Sequence, residues 1–220
     1  MILSPVNLLT YSVSQWYGKP KTAQLEGWYK ELGITDGKGN PIHNGTDFSC
    51  PTGTPLVASI DGRFESYTSS DGALIAHIWG KDIRCTYIHL DKVYIKNGTQ
   101  VRAGEVIGES GNSGRYSTNP HLHYAVYELS VSGQIKNFNN GSHGSVDPAP
   151  YLAKRLSNGS LVKTISEAKV YMIQNGVKWW IKDEKTFEEW FGIKVGKAVI
   201  EEIDLITYNF YRAGEIRFII

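Results

Sequence analysis

The sequence predicts a mainly β fold, built on an antiparallel sheet and followed by a small C-terminal α+β module. Between residues 48 and 130, short runs carry apolar side chains at alternate positions, and turn dipeptides separate these runs at fairly even spacing. No ten-residue helical pattern interrupts this region. The thirteen tyrosines and six tryptophans also favour strands.

Five segments carry the strand pattern, and turn dipeptides lie between them. The predicted strands are Leu56–Ile60, Leu74–Trp79, Ile83–Leu90, Glu105–Gly108 and Leu122–Leu129. The turns are Asp61-Gly62, Asp71-Gly72, Asn97-Gly98 and Ala103-Gly104. Because tight turns join strands of opposite direction, these segments are expected to form an antiparallel sheet.

The chain divides into three predicted parts. Residues 1–40 are an irregular lead-in with a short helix over Ala23–Leu32 that stops at Gly33. Residues 41–156 form the β domain, which closes near the two prolines of Asp147–Tyr151.

Residues 161–220 form the small module, after a linker at Ser157–Ser160. Its pattern predicts a hairpin around Asn175-Gly176 and a helix from Asp183 to Trp190 that ends at Gly192. Apolar and aromatic alternation returns over Ile200–Ile220. Trp179 and Trp180 would suit stacking on sugar rings, although a hairpin core or a contact between domains is the stronger interpretation.

Charge and composition exclude several classes of protein. A net charge of +1 provides no electrostatic footprint for nucleic acid or for an anionic membrane. No run is long enough to span a bilayer, and the N-terminal residues carry no signal-peptide pattern. Cys50 and Cys85 are interpreted as small buried residues, with one disulfide between them as the weaker alternative.

The chemistry is concentrated in two short segments, His43-Asn44-Gly45-Thr46-Asp47 and His121-Leu122-His123. Residues i and i+2 of a strand point to the same face, so His121 and His123 can address one pocket. A bend at Gly45 would bring His43 and Asp47 together. Three protein ligands with one open position are typical of a catalytic zinc. His43, Asp47 and His123 are therefore the candidate ligands, and His121 is expected close by without binding the metal.

A further histidine, His89, lies at the end of a predicted strand. An imidazole beside the attacking water can take its proton or stabilise the oxyanion, so His89 and His121 are the candidate catalytic residues. Each pattern is weak alone, because a strand histidine is more often a core or surface residue than a ligand. His77 and His143 have no such support and are interpreted as structural. The segment Gly108–Gly114 is interpreted as a loop bordering the site, since no helix follows it.

These motifs together resemble the lysostaphin-type (LytM-type) zinc endopeptidases. The similarity rests on His43-x-x-x-Asp47, Cys50–Ala58, Thr86–Leu90, Val106–Gly108, Gly111–Gly114 and Pro120–Tyr124, and it covers roughly residues 40–152. One departure is Asn119, where the family often has glycine before Pro-His-Leu-His.

The resemblance implies a two-layer antiparallel β core of the LytM/lysostaphin type (duplicated hybrid motif) with a groove. It also implies one Zn²⁺ per chain on His43, Asp47 and His123, with His89 and His121 acting on the water and the transition state. The implied substrates are peptides of bacterial peptidoglycan. From the net charge, no nucleic-acid or membrane partner is expected.

The expected site of action is the bacterial cell wall. Without a leader, the chain is expected to be a phage lysin (endolysin), a virion-associated lysin or a mature form. The alternative function is a non-catalytic wall-binding or phage tail structural protein that retains the peptidase fold. Residues 161–220 are expected either to bind the wall or to cap the catalytic domain. The bond cleaved and the oligomeric state stay open.

Overall fold

The computed structural model describes residues 2–6, 10–153, 160–164, 169–174, 177–181, 183, 185, 188–189, 200–203 and 212–214. Two compact units make up the chain, one over Ile2–Leu152 and the other over Ala153–Ile220. The predicted linker residues 157–159, the turn Asn175-Gly176 and the predicted helix end at Trp190 and Gly192 lie outside the described residues.

Strands dominate the described residues. The helices are α1 (Ala23–Glu31) and a short 3-10 helix (Ala149–Tyr151), and the strands are β1 (Ile2–Leu3), β2 (Val13–Gln15), β3 (Thr46–Phe48), β4 (Pro55–Val57), β5 (Gly62–Thr68), β6 (Leu74–Trp79), β7 (Ile83–Ile88), β8 (Leu90–Val93), β9 (Gln100–Val101), β10 (Val106–Ser110), β11 (Leu122–Glu128), β12 (Ser145–Val146), β13 (Leu152–Ala153), β14 (Leu161–Thr164), β15 (Tyr171–Gln174), β16 (Val177–Trp180), β17 (Ile200–Ile203) and β18 (Arg212–Gly214).

Two antiparallel sheets share the core of the first unit, which confirms the predicted two-layer β fold. The larger has the order β2-β3-β11-β7-β6-β5-β9, with β12 also pairing with β11, and the smaller has the order β4-β10-β8. Alternate residues of the larger sheet, such as Phe64, Ile78 and Tyr124, meet Leu56 and Ile107 of the smaller one in a single buried cluster. The opposite face of the larger sheet is therefore available for a site.

Two of the predicted strands agree closely with the structure. β6 has the predicted bounds, and β11 ends one residue earlier than predicted. The predicted strand Ile83–Leu90 is two strands, because His89 takes a φ of 69° and interrupts the extended backbone. β10 extends to Ser110, so the segment interpreted as a bordering loop begins inside a strand.

Helix α1 confirms the predicted short helix of the lead-in. The side chain of Thr22 accepts a hydrogen bond from the backbone N–H of Leu25, and Gly33 follows the helix with a φ of 68°. Both cysteines are buried and unpaired, which excludes the disulfide alternative.

In the second unit, the described strands have the order β17-β14-β15-β16-β18. β15 and β16 pair antiparallel, as the hairpin prediction requires, whereas β14 with β17 and β16 with β18 are parallel pairs.

Across the described part of the chain, no helix has the length and apolar character needed to cross a membrane.

Candidate metal centre

Neighbouring strands of the larger sheet place two of the predicted ligands side by side. His123 of β11 is registered directly opposite Asp47 of β3. Directly opposite residues point to the same face of a sheet, which here is the face turned away from the apolar core. His43 lies just before β3, where its backbone forms a bridge with Gly18.

The three side chains converge to a nearly equilateral triangle. His43 Nε2 lies 3.0 Å from Asp47 Oδ1 and 3.0 Å from His123 Nδ1. The third edge, from His123 Nδ1 to Asp47 Oδ1, is also 3.0 Å. Among the described residues, this is the one cluster of three or more such side chains placed to hold a metal ion.

Gly45 allows this convergence because it has no side chain. A Cβ at this position would lie 2.6 Å from His123 Nε2 and 2.7 Å from the carbonyl oxygen of Tyr124. Real Cβ atoms do not approach other atoms so closely, and one of these neighbours is backbone. The chain bends at Gly45, as the sequence predicted, and the missing Cβ also leaves room for the His123 imidazole.

A backbone carbonyl fixes the orientation of His43. Its Nδ1 lies 2.9 Å from the carbonyl oxygen of Trp16, which can only accept, so Nδ1 carries the proton and donates it. In the neutral ring, Nε2 then presents a lone pair to Asp47 and His123. An outer hydrogen bond of this kind is typical of metal-binding histidines.

Asp47 keeps its negative charge at this position. Burial by itself would raise the pKa of its carboxyl, but the interactions with the neighbouring His123 and His43 imidazoles outweigh that effect and hold the pKa well below its usual range. Burial also lowers the pKa of His123, against the opposing effect of Asp47, and so favours its neutral form. The centre therefore combines a carboxylate with an imidazole, that of His123, whose neutral form is favoured by burial.

This donor set fits a divalent metal ion. Two nitrogen lone pairs and a carboxylate oxygen face each other, an arrangement that a cation between them would stabilise. Tetrahedral zinc with bonds of about 2.0–2.1 Å holds its ligand atoms about 3.3 Å apart, close to the 3.0 Å edges of the triangle. Three protein ligands would leave one coordination position for water or substrate.

His89 lies beside this cluster in an uncommon backbone conformation. Its φ of 69° is in the left-handed region, and its Nδ1 donates to the carbonyl oxygen of Ser113 at 2.7 Å. Nε2 is therefore the nitrogen that can accept a proton. Burial, followed by the neighbouring His123 and His121, lowers the pKa of His89 to about 4, so its imidazole is neutral at pH 7.

His121 lies next to His89 at the edge of the centre. Its Nδ1 donates to the carbonyl oxygen of Asn119 at 2.8 Å, and its Nε2 lies 3.9 Å from Asp47 Oδ1. The centroids of the His89 and His121 rings are 4.7 Å apart. The structure thus places both predicted catalytic histidines around the triangle, each with Nδ1 used in a hydrogen bond to backbone.

The N-terminal segment contributes to the frame of the centre, which sequence reasoning missed. Besides the carbonyl of Trp16, Tyr29 of α1 places its ring centroid 5.6 Å from that of His43. The ring of Trp28 meets that of Tyr116 edge to face, and Glu31 accepts a hydrogen bond from the same tyrosine at 3.1 Å. Backbone acceptors such as those of Trp16 and Ser113 leave no signal in residue type, so no motif could have identified them.

The two remaining histidines lie away from the triangle. His77 of β6 contacts Thr86 through its Nδ1 at 2.9 Å, and His143 stacks on Phe138. Neither belongs to the cluster of side chains that, among the described residues, is placed to hold a metal ion.

Comparison with known proteins agrees with the fold and the motifs. Residues 41–140 match peptidase family M23. Peptidoglycan DD-endopeptidase ShyA from Vibrio cholerae is 44% identical over 100 residues, which are 43% of this chain and 22% of that protein. Lysostaphin from Staphylococcus staphylolyticus is 36% identical over 143 residues, 63% of this chain and 27% of that protein.

Among solved structures, the catalytic domain of lysostaphin from Staphylococcus simulans is similar, with a TM-score of 0.50 and 30% identity. The match covers 66% of this chain and 93% of that domain. The first curated relatives are matched over only 20% to 27% of their own length. An antiparallel β fold with this ordered set of His and Asp motifs defines a class of peptidases, and the chain belongs to family M23, with the lysostaphin- and LytM-type proteins.

Proposed function

We propose that this chain is a zinc-dependent endopeptidase that hydrolyses peptide bonds of bacterial peptidoglycan. The observation that carries the proposal is the triangle of His43 Nε2, Asp47 Oδ1 and His123 Nδ1, with the imidazoles of His89 and His121 at its edge. Membership of family M23 and the activity named for its peptidoglycan endopeptidase relatives support the choice of substrate.

In this proposal, His43, Asp47 and His123 hold the metal. When bound, zinc supplies a Lewis acid that polarises the scissile carbonyl and makes a water acidic enough to attack at neutral pH. The carbonyl of Trp16 keeps Nε2 of His43 turned inward, and the ionised Asp47 supplies the negative charge that a divalent cation requires.

The proton chemistry is assigned to the two outer histidines. Because Nδ1 of His89 is held on Ser113, its Nε2 accepts the proton that the attacking water gives up, and the imidazolium then donates it to the leaving amine. His121 presents its own Nε2 from the adjacent position and, when that nitrogen carries a proton, donates a hydrogen bond to the developing oxyanion.

The proposal assigns the chemistry to residues 41–156. Residues 161–220 are assigned to wall binding or to stabilisation of the peptidase domain. A variant ending at residue 156 distinguishes these two roles, because loss of wall binding would slow digestion of intact walls while sparing soluble peptides. Loss of stability would slow both.

Digestion of purified peptidoglycan with several cross-bridge types tests the function. Walls are incubated with the protein with and without a chelator, and the released fragments are analysed by mass spectrometry. Chelator-sensitive new amino termini are the expected result, and they also name the bond. If protein that holds zinc binds walls tightly but releases no fragments from any of them, the non-catalytic wall-binding function is supported instead.

A further inference from the structure

A second polar cluster lies on the same face of the larger sheet as the metal centre. β7 and β11 are registered with Ile88 opposite His123 and Arg84 opposite Tyr127. Arg84 therefore lies four residues along β7 from Ile88, the residue beside His123. At about 3.3 Å per residue, this separation is about 13 Å. The even spacing keeps both on one face, and the short side chains of Thr86 and Ala125 that lie between them are buried.

Two aromatic rings hold the guanidinium of Arg84. Its Cζ lies 4.0 Å from the ring centroid of Tyr127 and 4.9 Å from that of Trp79. Cation–π contacts fix the plane of a guanidinium without using its N–H donors. The guanidinium also forms a side-chain hydrogen bond with Tyr127, so Arg84 is held in place while its remaining N–H groups can still donate.

Arg84 has no acidic partner among the residues that the structure describes. Its Nε is buried and lacks a hydrogen-bond partner there. Glu65 lies on the same face, but its carboxylate accepts from the indole N–H of Trp79 at 2.7 Å and pairs with Arg63. A largely buried, uncompensated guanidinium is unfavourable, and an incoming anion would remove that cost.

We propose that Arg84 forms a carboxylate-binding subsite for the substrate peptide. The inference rests on the proposed function and adds a specificity determinant to it. The planar fork of an arginine matches a carboxylate with two parallel hydrogen bonds. In an extended peptide, a carboxylate about 13 Å from the scissile bond lies three to four residues away from it. Its source is either the C-terminal carboxylate of a peptide stem or a side-chain carboxylate.

The first test does not require hydrolysis. The Nε–H signal of Arg84 is identified in a ¹⁵N-correlated NMR spectrum by its loss in Arg84→Lys. The zinc-loaded protein is then titrated with N-acetylated trialanine, once as the free acid and once as the amide. The free acid should shift the signal and the amide should not. Equal shifts, or no shift up to the solubility limit of the acid, would overturn the proposal.

The second test compares substrates that differ in one group. Cross-linked peptides from a peptidoglycan digest are prepared with their carboxylates free, with only the terminal carboxylate amidated, or with only the side-chain carboxylate amidated. The wild type should lose about tenfold or more in kcat/KM when the recognised carboxylate is amidated, which identifies its source.

Arg84→Gln should bring the ratio of the rate on the free acid to the rate on the amide to about one, at unchanged zinc content. Arg102→Gln removes an equal charge from an exposed position and should keep the discrimination. An Arg84→Gln variant slowed equally on every substrate would show a purely structural role. Absence of hydrolysis by every variant, with the NMR shift intact, would reject the peptidase function and keep the carboxylate site.

Discussion

His89 donates from Nδ1 to the carbonyl oxygen of Ser113 at 2.7 Å, and it does so from a left-handed backbone conformation with a φ of 69°. The segment containing Ser113 is itself tied down, since the Ser113 hydroxyl accepts from the N–H of Leu74 at 2.9 Å and donates to the carbonyl of Leu90 at 2.7 Å. Backbone strain of this kind persists only where the surroundings hold it. The imidazole of His89 is therefore oriented before any substrate arrives.

Replacement of His89 should separate metal binding from turnover. His89→Asn is the suitable change, because asparagine tolerates a positive φ better than alanine. We expect zinc content to stay at the wild-type level and kcat/KM on peptidoglycan peptides to fall by about 10²–10⁴-fold, the usual contribution of a general base. Zinc is measured by elemental analysis of the same preparation.

The chain offers a matched control for this change. His143 has a φ of 56° and is exposed, so His143→Asn makes the same chemical change at a similar backbone conformation away from the centre. Its activity should equal that of the wild type. Normal activity in His89→Asn would remove His89 from the mechanism.

The pH below which activity is lost should be lower than an ordinary imidazole base would give. A free histidine with a pKa of about 6.5 would lose its capacity as a base below about pH 6. Burial lowers the pKa of His89 to about 4, so its Nε2 stays free to accept a proton well below pH 6. With zinc present throughout, kcat/KM should fall only as the pH approaches 4. A midpoint near 6.5 would contradict the assignment of His89 as the base.

Gly45 should be intolerant of a side chain. In Gly45→Ala, the new Cβ would meet His123 Nε2 at 2.6 Å and the Tyr124 carbonyl at 2.7 Å, which forces the ligand or the strand to move. We expect at least about tenfold weaker zinc binding, and a loss of about 1–3 kcal/mol in the free energy of unfolding. Zinc affinity is measured by metal competition, and the free energy of unfolding is measured by chemical denaturation.

Gly27→Ala provides the control. Gly27 lies in α1, and a Cβ added there would point into open space, so alanine should stabilise the helix by up to about 1 kcal/mol without changing zinc binding. Wild-type zinc affinity in Gly45→Ala would show that the centre does not need the close approach at this residue.

His77 should make the stability of the fold depend on pH. Burial, assisted by Arg84 and opposed by Glu65, lowers the pKa of His77 to about 4. As the pH falls, His77 binds a proton in the unfolded chain before it does so in the folded chain. Its contribution to the free energy of unfolding is therefore present above about pH 6.5 and is lost as the pH falls towards 4. Between pH 7 and 5 the loss is up to about 2 kcal/mol.

The variant His77→Gln removes this titration. The decrease in its free energy of unfolding from pH 7 to pH 5, measured by denaturation followed by circular dichroism, should be smaller than that of the wild type. Equal decreases in the two proteins would show that His77 titrates alike in the folded and unfolded chains.

Local pattern was sufficient for some elements and insufficient for others. β6 was predicted with its bounds because it is a run of apolar residues, with His77 as its one polar residue, between the turn residues Gly72 and Gly80. β5 was missed because Phe64 is its one fully buried residue, so its pairing with β6, rather than its own pattern, determines the strand. The break at His89 arises from contacts with Ser113, which are distant in sequence and leave no local signal.

The candidate site was likewise only partly predictable from the sequence. Residue types and order indicated His43, Asp47 and His123, but their meeting at 3.0 Å depends on the register of β3 against β11. The hydrogen bond from His43 to Trp16 joins a side chain to a backbone carbonyl 27 residues away, which no composition or spacing can reveal.

The central claim is that His43, Asp47 and His123 hold a metal that is required for peptide-bond hydrolysis. It is tested most directly by removing metal from the purified protein with a chelator and measuring the release of new amino termini from peptidoglycan before and after zinc is added back. Activity should be absent in the stripped protein and should rise in proportion to added zinc up to one equivalent per chain. Hydrolysis that is unchanged by metal removal, or absent at full zinc occupancy, would contradict the account.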